Sequence, residues 1–402
     1  MIPERLNPNL EAMQPSATLA MTARALERKR AGFPVIGLSA GEPDFDTPVE
    51  IADAACQAIR DGHTHYTNNL GMPVLREEIC AKLKRDNGLS YEPDDIICSN
   101  GAKQSVAQAI ALLCRPGDEV IIPAPYWVSY PEMVRFAGAQ PVTVPTGVDT
   151  EYRLTPDRLE AAITPSSRLL ILCSPSNPTG SVYSREEMQA LVDVLHRHPQ
   201  LYVLSDEIYE HVVYDAEHVS IASFDGMKER TITVNGFSKA YAMTGWRLGY
   251  MAARRDLTRA ASKLQSQLTS APSSVSQMAG IAALRMDSAP IEAMVRAFRE
   301  RRDVVHAGLM AIDGFDCPMP QGAFYLFPDI SAYFGARTAT GDVIDSSDAL
   351  CFHLLDQCNV ALVPGAAFGG PDGIRISYAA SMEDLLEAVD RLQKAFSSLD
   401  RA

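Results

Sequence analysis

Short apolar runs alternate with longer amphipathic stretches along most of the chain. Ile96–Cys98, Val120–Ile122, Pro141–Val144, Leu169–Cys173, Leu201–Leu204, Thr231–Val234 and Arg247–Met251 are brief and nearly continuous in branched residues. That pattern predicts strands covered on both faces. The stretches between them have readable helix ends. Thr47 before Pro48 predicts an N-cap with proline at the first helical position and a helix stopping near Gly62. Pro73 to Asn87 predicts a helix closed by Gly88. Further helices are expected at Gly101–Cys114, Ser184–His198 and Asp256–Arg285.

Strands alternating with helices predict an α/β fold, a mostly parallel seven-stranded sheet with helices on both faces. After Arg285 the texture changes to helices near Pro290–Ile312, Asp345–Cys358 and Met382–Leu399, with strands at Ala323–Phe327, Val360–Val363 and Gly373–Ser377. A smaller α+β domain is expected there, and Tyr333–Ser347 reads as a surface excursion. The expected division is a large domain at 48–288 and a small one built from both chain ends, 1–47 and 289–402. No internal repeat or low-complexity tract interrupts it.

Composition narrows the function. The 402 residues are 47% hydrophobic and 21% charged, which excludes wholesale disorder. A formal net charge of −14 disfavours a nucleic-acid partner. The eight cysteines are scattered without a C-x-x-C pair, as expected of reduced thiols in a cytoplasm. Met1 to Gln14 lacks the apolar stretch of a signal peptide, and no window predicts a membrane span. His63/His65 and His196/His198 lack companions at ligand spacing, so no metal is expected.

Ligands of such sheets bind beyond the carboxyl ends of the strands. Lys239 stands there, preceded by Ser238 and followed eight positions later by Arg247. An exposed loop lysine is the commoner case. Small and aromatic neighbours, a hydroxyl and an arginine instead suit a bound phosphate and a lysine that forms a Schiff base with pyridoxal phosphate. Three further parts would then be needed. Asp206, at the end of another strand, could pair with a pyridine nitrogen or simply cap the next segment. Ser99-Asn-Gly-Ala102-Lys103 opens a helix whose N–H groups could hold an anion. Trp127 could stack on a ring or belong to the core, and Asn177 could hold a phenolic oxygen. Pro175 and Pro178 make its turn rigid, with a cis bond expected at one of them.

In this order, Ser174-Pro-Ser-Asn177-Pro-Thr-Gly180, Ser205-Asp206-Glu-Ile-Tyr209 and Ser238-Lys239-Ala-Tyr-Ala-Met-Thr-Gly-Trp-Arg247 resemble the class I pyridoxal-phosphate-dependent aminotransferases. The resemblance implies the type I fold of such transferases and a ping-pong transfer of amino groups. By the same resemblance Lys239 is the Schiff-base lysine and proton carrier, and Asp206 keeps the pyridine nitrogen protonated. Tyr209 and Asn177 would bond the phenolate oxygen, and Trp127 would stack on the ring. Ser238, Arg247 and the backbone at Ala102 and Lys103 would hold the phosphate. Tyr66 matches a tyrosine that reaches the partner subunit's phosphate, which implies a homodimer with shared sites. Arg375 matches the clamp on the substrate α-carboxylate, with Gly41 close by.

Within the family the chain is most similar to the aspartate aminotransferase subgroup that includes aspartate/prephenate enzymes. The matching segments are Pro15-Ser16-Ala-Thr18 and Gly101-Ala-Lys103-Gln. Lys103, assisted by Ser16 and Thr18, would read a distal carboxylate, so aspartate or glutamate is the expected donor and 2-oxoglutarate or oxaloacetate the acceptor. Gln14, His65 and Asn68-Asn69 depart from relatives that use prephenate. The competing expectations are an aromatic or kynurenine transaminase, a carbon–sulfur lyase, or a ligand-sensing regulator, the last disfavoured because no basic module precedes Pro15. Lys103, Lys239, Arg247 and Arg375 would make a local cationic focus in an acidic molecule.

Overall fold

The seven apolar runs form one sheet in the computed structural model, which describes residues 7–401. Its strands are β1 (Ile96–Ser99), β2 (Glu119–Ala124), β3 (Gln140–Pro145), β4 (Ser167–Cys173), β5 (Tyr202–Asp206), β6 (Thr231–Gly236) and β7 (Gly249–Ala252). The order across the sheet is β1-β7-β6-β5-β4-β2-β3. β7 runs antiparallel to both neighbours, and the remaining pairs are parallel. Side chains of β1, β4 and β6 are almost wholly buried, as continuous apolar runs require. The carboxyl ends of β4 and β5 lie in register, Cys173 beside Asp206.

The other core gathers both chain ends. Met21 and Ala25 pack with Phe298, Phe324, Leu354 and Phe396 in one cluster. Three short strands, Tyr325–Leu326, Val363–Pro364 and Ile374–Ser377, pair antiparallel within that part. Ile36–Gly37 pairs in parallel with Val360–Ala361, which ties the N-terminal segment to the C-terminal one. Among the described residues no helix is long and apolar enough to cross a membrane.

Several expectations needed correction. The helix after Thr47 starts at Val49 with Pro48 as its N-cap. Thr47 instead donates to the Ala242 carbonyl at 2.7 Å and accepts from the Trp246 indole at 3.0 Å. A tertiary partner outcompeted the local cap. The stretch 256–285 is two helices, Arg255–Leu268 and Ser274–Arg285, because Pro272 cannot continue the first. Val360–Val363 splits between two sheets. The excursion at 333–347 folds back, with Ala336 and Ile344 buried and Arg337 paired to Asp400. Helices α1 (Ala17–Arg30), Ser129–Phe136 and Pro156–Ala162 had no counterpart in the pattern. The cap at Gly88 stands, at φ +67° after a helix spanning Pro73–Asn87.

Beside β6 lies a buried charged cluster. Lys82, 2% exposed, contacts the buried Glu210, which also accepts from Asn87 at 2.9 Å and Asn235 at 2.7 Å. Glu207 accepts from Ser205 at 2.8 Å and Ser220 at 2.6 Å, and His218 stands 3.1 Å away. Burial alone would push the Glu210 carboxyl up, but the Lys82 ammonium, with His211 and His218 nearby, holds it well below the usual range. Glu207, Glu210 and His218 are close enough to share an ion. Lys82 supplies a cation to this group from within the chain. Lys82→Met should lower the unfolding free energy by about 3–5 kcal/mol, because it strands a buried carboxylate. Adding Glu210→Gln should restore part of that loss. Denaturant titration would read both.

Candidate active site

At the carboxyl ends of β4, β5 and β6 a cavity opens beside the cluster that gathers both chain ends. Lys239, Asp206, Tyr209, Asn177, Ser238 and Arg375 line it. So do Gly41, Ala102, Lys103, Trp127 and Arg247, and the N-terminal segment closes it with Ser16 and Thr18. Every residue given a cofactor or substrate role from the sequence therefore lines this cavity except Tyr66, which is 100% exposed and outside it.

The anion end is built by glycine. Gly101, at φ +81°, precedes helix α2 (Ala102–Leu113) and leaves its first turn without a side-chain cap. A Cβ on Gly101 would come 2.3 Å from Nη2 of Arg247, and one on Gly249 would come 2.3 Å from the Ala102 nitrogen. Only glycine permits this close approach of arginine, helix start and strand. Arg247 itself sits at φ +55°, its guanidinium donating to the Thr244 carbonyl at 2.8 Å. An uncapped helix start, a hydroxyl from Ser238 and a guanidinium form a donor set for a phosphate.

The acid end is β5. Asp206 is buried and accepts from the Tyr130 hydroxyl at 2.6 Å and from the Ile208 backbone at 3.4 Å. Burial pushes its carboxyl up to about 6, while those two hydrogen bonds work the other way. Between these ends Lys239, half-buried, donates to the Gly41 carbonyl. Burial pushes its ammonium down to about 8, so the neutral form, though still the minority near neutral pH, is far more populated than in an ordinary lysine.

Arg375 is 2% exposed and held on all sides. Nη1 donates to Oδ1 of Asn177 at 3.0 Å and Nη2 to the Ser39 carbonyl at 2.6 Å. The guanidinium lies 4.6 Å from the Tyr325 ring centroid and 4.9 Å from that of Phe368, and Nε has no partner. Since Oδ1 of Asn177 is taken by Arg375, the amide nitrogen of Asn177 remains as its donor group. The Tyr209 hydroxyl lies 2.8 Å from that of Tyr325. Lys103, exposed at the mouth, holds its ammonium 4.9 Å from the Trp127 ring centroid, an attraction to the ring face. Ser16 caps α1, accepting from the Leu19 backbone at 3.4 Å, while still facing the cavity.

Sequence reasoning missed Tyr130 and Tyr325. Tyr130 follows Trp127 by three positions, in the first turn of the helix that begins at Ser129, and the rings meet edge-on at 5.2 Å. Tyr325 had no local signal, because it comes from the other core. Ser174-Pro175 and Asn177-Pro178 are both cis, as is Ala124-Pro125.

A cationic cleft with a phosphate cradle, a buried carboxylate and one lysine between them defines a pyridoxal-phosphate enzyme. The chain belongs to the class I and II aminotransferases, whose family model matches residues 34–392. It is 54% identical over 398 residues to the bifunctional aspartate aminotransferase and glutamate/aspartate-prephenate aminotransferase of Petunia hybrida, covering 98% of this chain and 83% of that one. The solved aspartate aminotransferase of Rhizobium meliloti is similar with a TM-score of 0.96 at 45% identity, covering 98% of this chain and all of the other. The aspartate aminotransferase of Thermus thermophilus with maleate gives 0.91 at 40% identity, covering 98% and 100%. Pyridoxal phosphate is the cofactor of this family, and the cradle at Gly101 and the donors around it fit that group.

Proposed function

We propose that the enzyme transfers the amino group of L-aspartate or L-glutamate to 2-oxoglutarate or oxaloacetate. The observation that carries this reading is the pair of cations lining one cavity, Arg375 buried and Lys103 at the mouth. Two such groups suit an amino acid with two carboxylates. The guanidinium fork of Arg375 takes the α-carboxylate, and Lys103, with Ser16 and Thr18 beside it, takes the distal one. Relatives named for aspartate, one of them solved with the dicarboxylate maleate, support the reading.

When bound, pyridoxal phosphate supplies an electrophilic carbonyl for amines and a protonated ring that draws electrons from the substrate Cα. Lys239 would hold that carbonyl, and its amine would supply the base that moves a proton at the substrate Cα. Asp206 holds the proton on the ring nitrogen. Asn177 and Tyr209 would donate to the phenolate oxygen, and Trp127 would pack on the ring. Ser238, Arg247 and the Ala102 and Lys103 backbone hold the phosphate. Tyr66 is fully exposed and would reach the phosphate of the partner subunit in a cytoplasmic homodimer.

Lys103→Ala tests the substrate class. It should lower kcat/KM for aspartate by about 30- to 100-fold, the loss of one charged hydrogen bond, and change that for phenylalanine by less than about threefold. Equal losses on both substrates would remove the distal-carboxylate role. Names of relatives also favour prephenate as a second acceptor. Mixing the enzyme with prephenate and glutamate while following cofactor absorbance decides that point.

A further inference from the structure

Helix α3 (Ser129–Phe136) presses one side chain into the cofactor end of the cavity. Tyr130 is 2% exposed, and its hydroxyl donates to Oδ2 of Asp206 at 2.6 Å. The other contact to that carboxylate is the longer one, from the Ile208 backbone at 3.4 Å to Oδ1. The same tyrosine meets Trp127 edge-on, and its backbone nitrogen donates to the Trp127 carbonyl at 3.0 Å. One residue thus fixes the carboxylate and the neighbouring indole together.

We propose that Tyr130 is the positioning residue of this transamination, its buried hydroxyl holding Asp206 ionised and aimed at the ring nitrogen of the cofactor. The inference rests on the reading of Asp206 given above. A carboxylate buried without a strong donor takes up a proton, and a neutral acid in that place cannot keep the ring protonated. The Tyr130 hydroxyl acts as a donor throughout the working range, because burial first and Asp206 second push its own ionisation well above the ordinary value. The other groups facing Asp206 are Cys173 on β4, Lys239 beyond β6 and Glu207 next to it in sequence. Cys173 stays a thiol, since burial pushes it up to about 12. Glu207 disfavours the ionised form of Asp206 and Lys239 favours it. Tyr130 stands ahead of the Lys239 charge among the groups that lower the Asp206 pKa.

Tyr130→Phe removes the hydroxyl and little else, and the test reads cofactor binding as well as rate. Holoenzyme, Tyr130→Phe and Asp206→Asn would be compared for the pyridoxal phosphate dissociation constant across pH 5–9, for kcat and KM with aspartate, and for the circular dichroism of the bound cofactor. Without the donor the Asp206 carboxyl moves further up, so the acid limb of cofactor affinity should shift to higher pH by at least half a unit. At pH 7.5 kcat should fall by about 10-fold, the scale of one charged hydrogen bond, with KM changing less than threefold and the dichroism altered. A Tyr130→Phe enzyme with the wild-type acid limb and dichroism would overturn the proposal. So would a fall in rate accompanied only by lower thermal stability. If Asp206→Asn also behaves like wild type, the Asp206 reading fails, and the Tyr130 proposal with it. If Asp206→Asn weakens binding and Tyr130→Phe does not, only the role of Tyr130 fails.

Discussion

Lys239→Ala should lower turnover by about 10⁴-fold or more while the protein still binds pyridoxal phosphate. Loss of a proton carrier alone accounts for about 10²- to 10⁴-fold, and loss of the covalent route adds to it. Among the described residues the lining offers one other amine, Lys103, and it stands exposed at the mouth against the Trp127 ring. A guanidinium offers donors and no acceptor, and burial pushes the Tyr130 and Tyr209 hydroxyls well above their ordinary range. Asp206 is committed to Tyr130 and the Ile208 backbone. Glu42 lines the mouth but accepts from the Thr244 hydroxyl at 2.9 Å. Lys239 alone combines a flexible stem, a half-buried place and an ammonium pushed down to about 8. Cofactor retention follows because the phosphate donors around Gly101 and the carboxylate of Asp206 are untouched. The check is steady-state turnover beside a borohydride trap read by mass spectrometry. The wild type should gain a reduced cofactor on Lys239 and the variant should not. Turnover within tenfold of wild type would falsify the assignment.

The strands and their ends were legible because they are local features. Most strands of the large sheet are short apolar runs, the edge strand β3 with its largely exposed residues being the exception, and Gly88 and Ser184 mark helix ends by chemistry confined to one turn. The Ser184 cap is returned by Glu187, a reciprocal pair visible in the sequence itself. Helix α1 was not legible. Its mean composition is polar and only Met21 and Ala25 are buried, so little periodicity betrays the face that packs on the C-terminal core. Thr47 misled for the opposite reason: a strong local cap signal lost to two long-range hydrogen bonds.

The site divides in the same way. Lys239, Asp206, Asn177 and Arg247 sit in short segments whose neighbours repeat a chemical theme, and the parallel sheet brings those segments together. The supports behind them come from elsewhere. Tyr325 meets Tyr209 across 116 positions, and the Ser39 carbonyl meets Arg375 across 336. Nothing in either segment alone announces the pairing. Legibility ended at residues that act through another residue.

Arg375→Ala should lower kcat/KM by about 10³-fold or more for aspartate and phenylalanine alike. The arginine is buried, stacked between Tyr325 and Phe368, and fixed by Asn177 and the Ser39 carbonyl before any substrate arrives. Preorganisation of that kind means little ordering is left for binding to bear. A carboxylate entering the variant finds buried polar groups and no cation, which is the costly case for recognition. Arg375→Lys should recover only part of the loss, because an ammonium keeps the charge but not the two parallel donors. Both variants should bind pyridoxal phosphate within about threefold of wild type, since the phosphate cradle lies at the other end of the cavity. The contrast with Lys103→Ala decides between the two cations. Loss on every amino acid marks the group that reads the α-carboxylate, and loss on aspartate alone marks the group that reads the side chain. An Arg375→Ala enzyme that lost aspartate and spared phenylalanine would reverse the two roles and leave the α-carboxylate to Lys103.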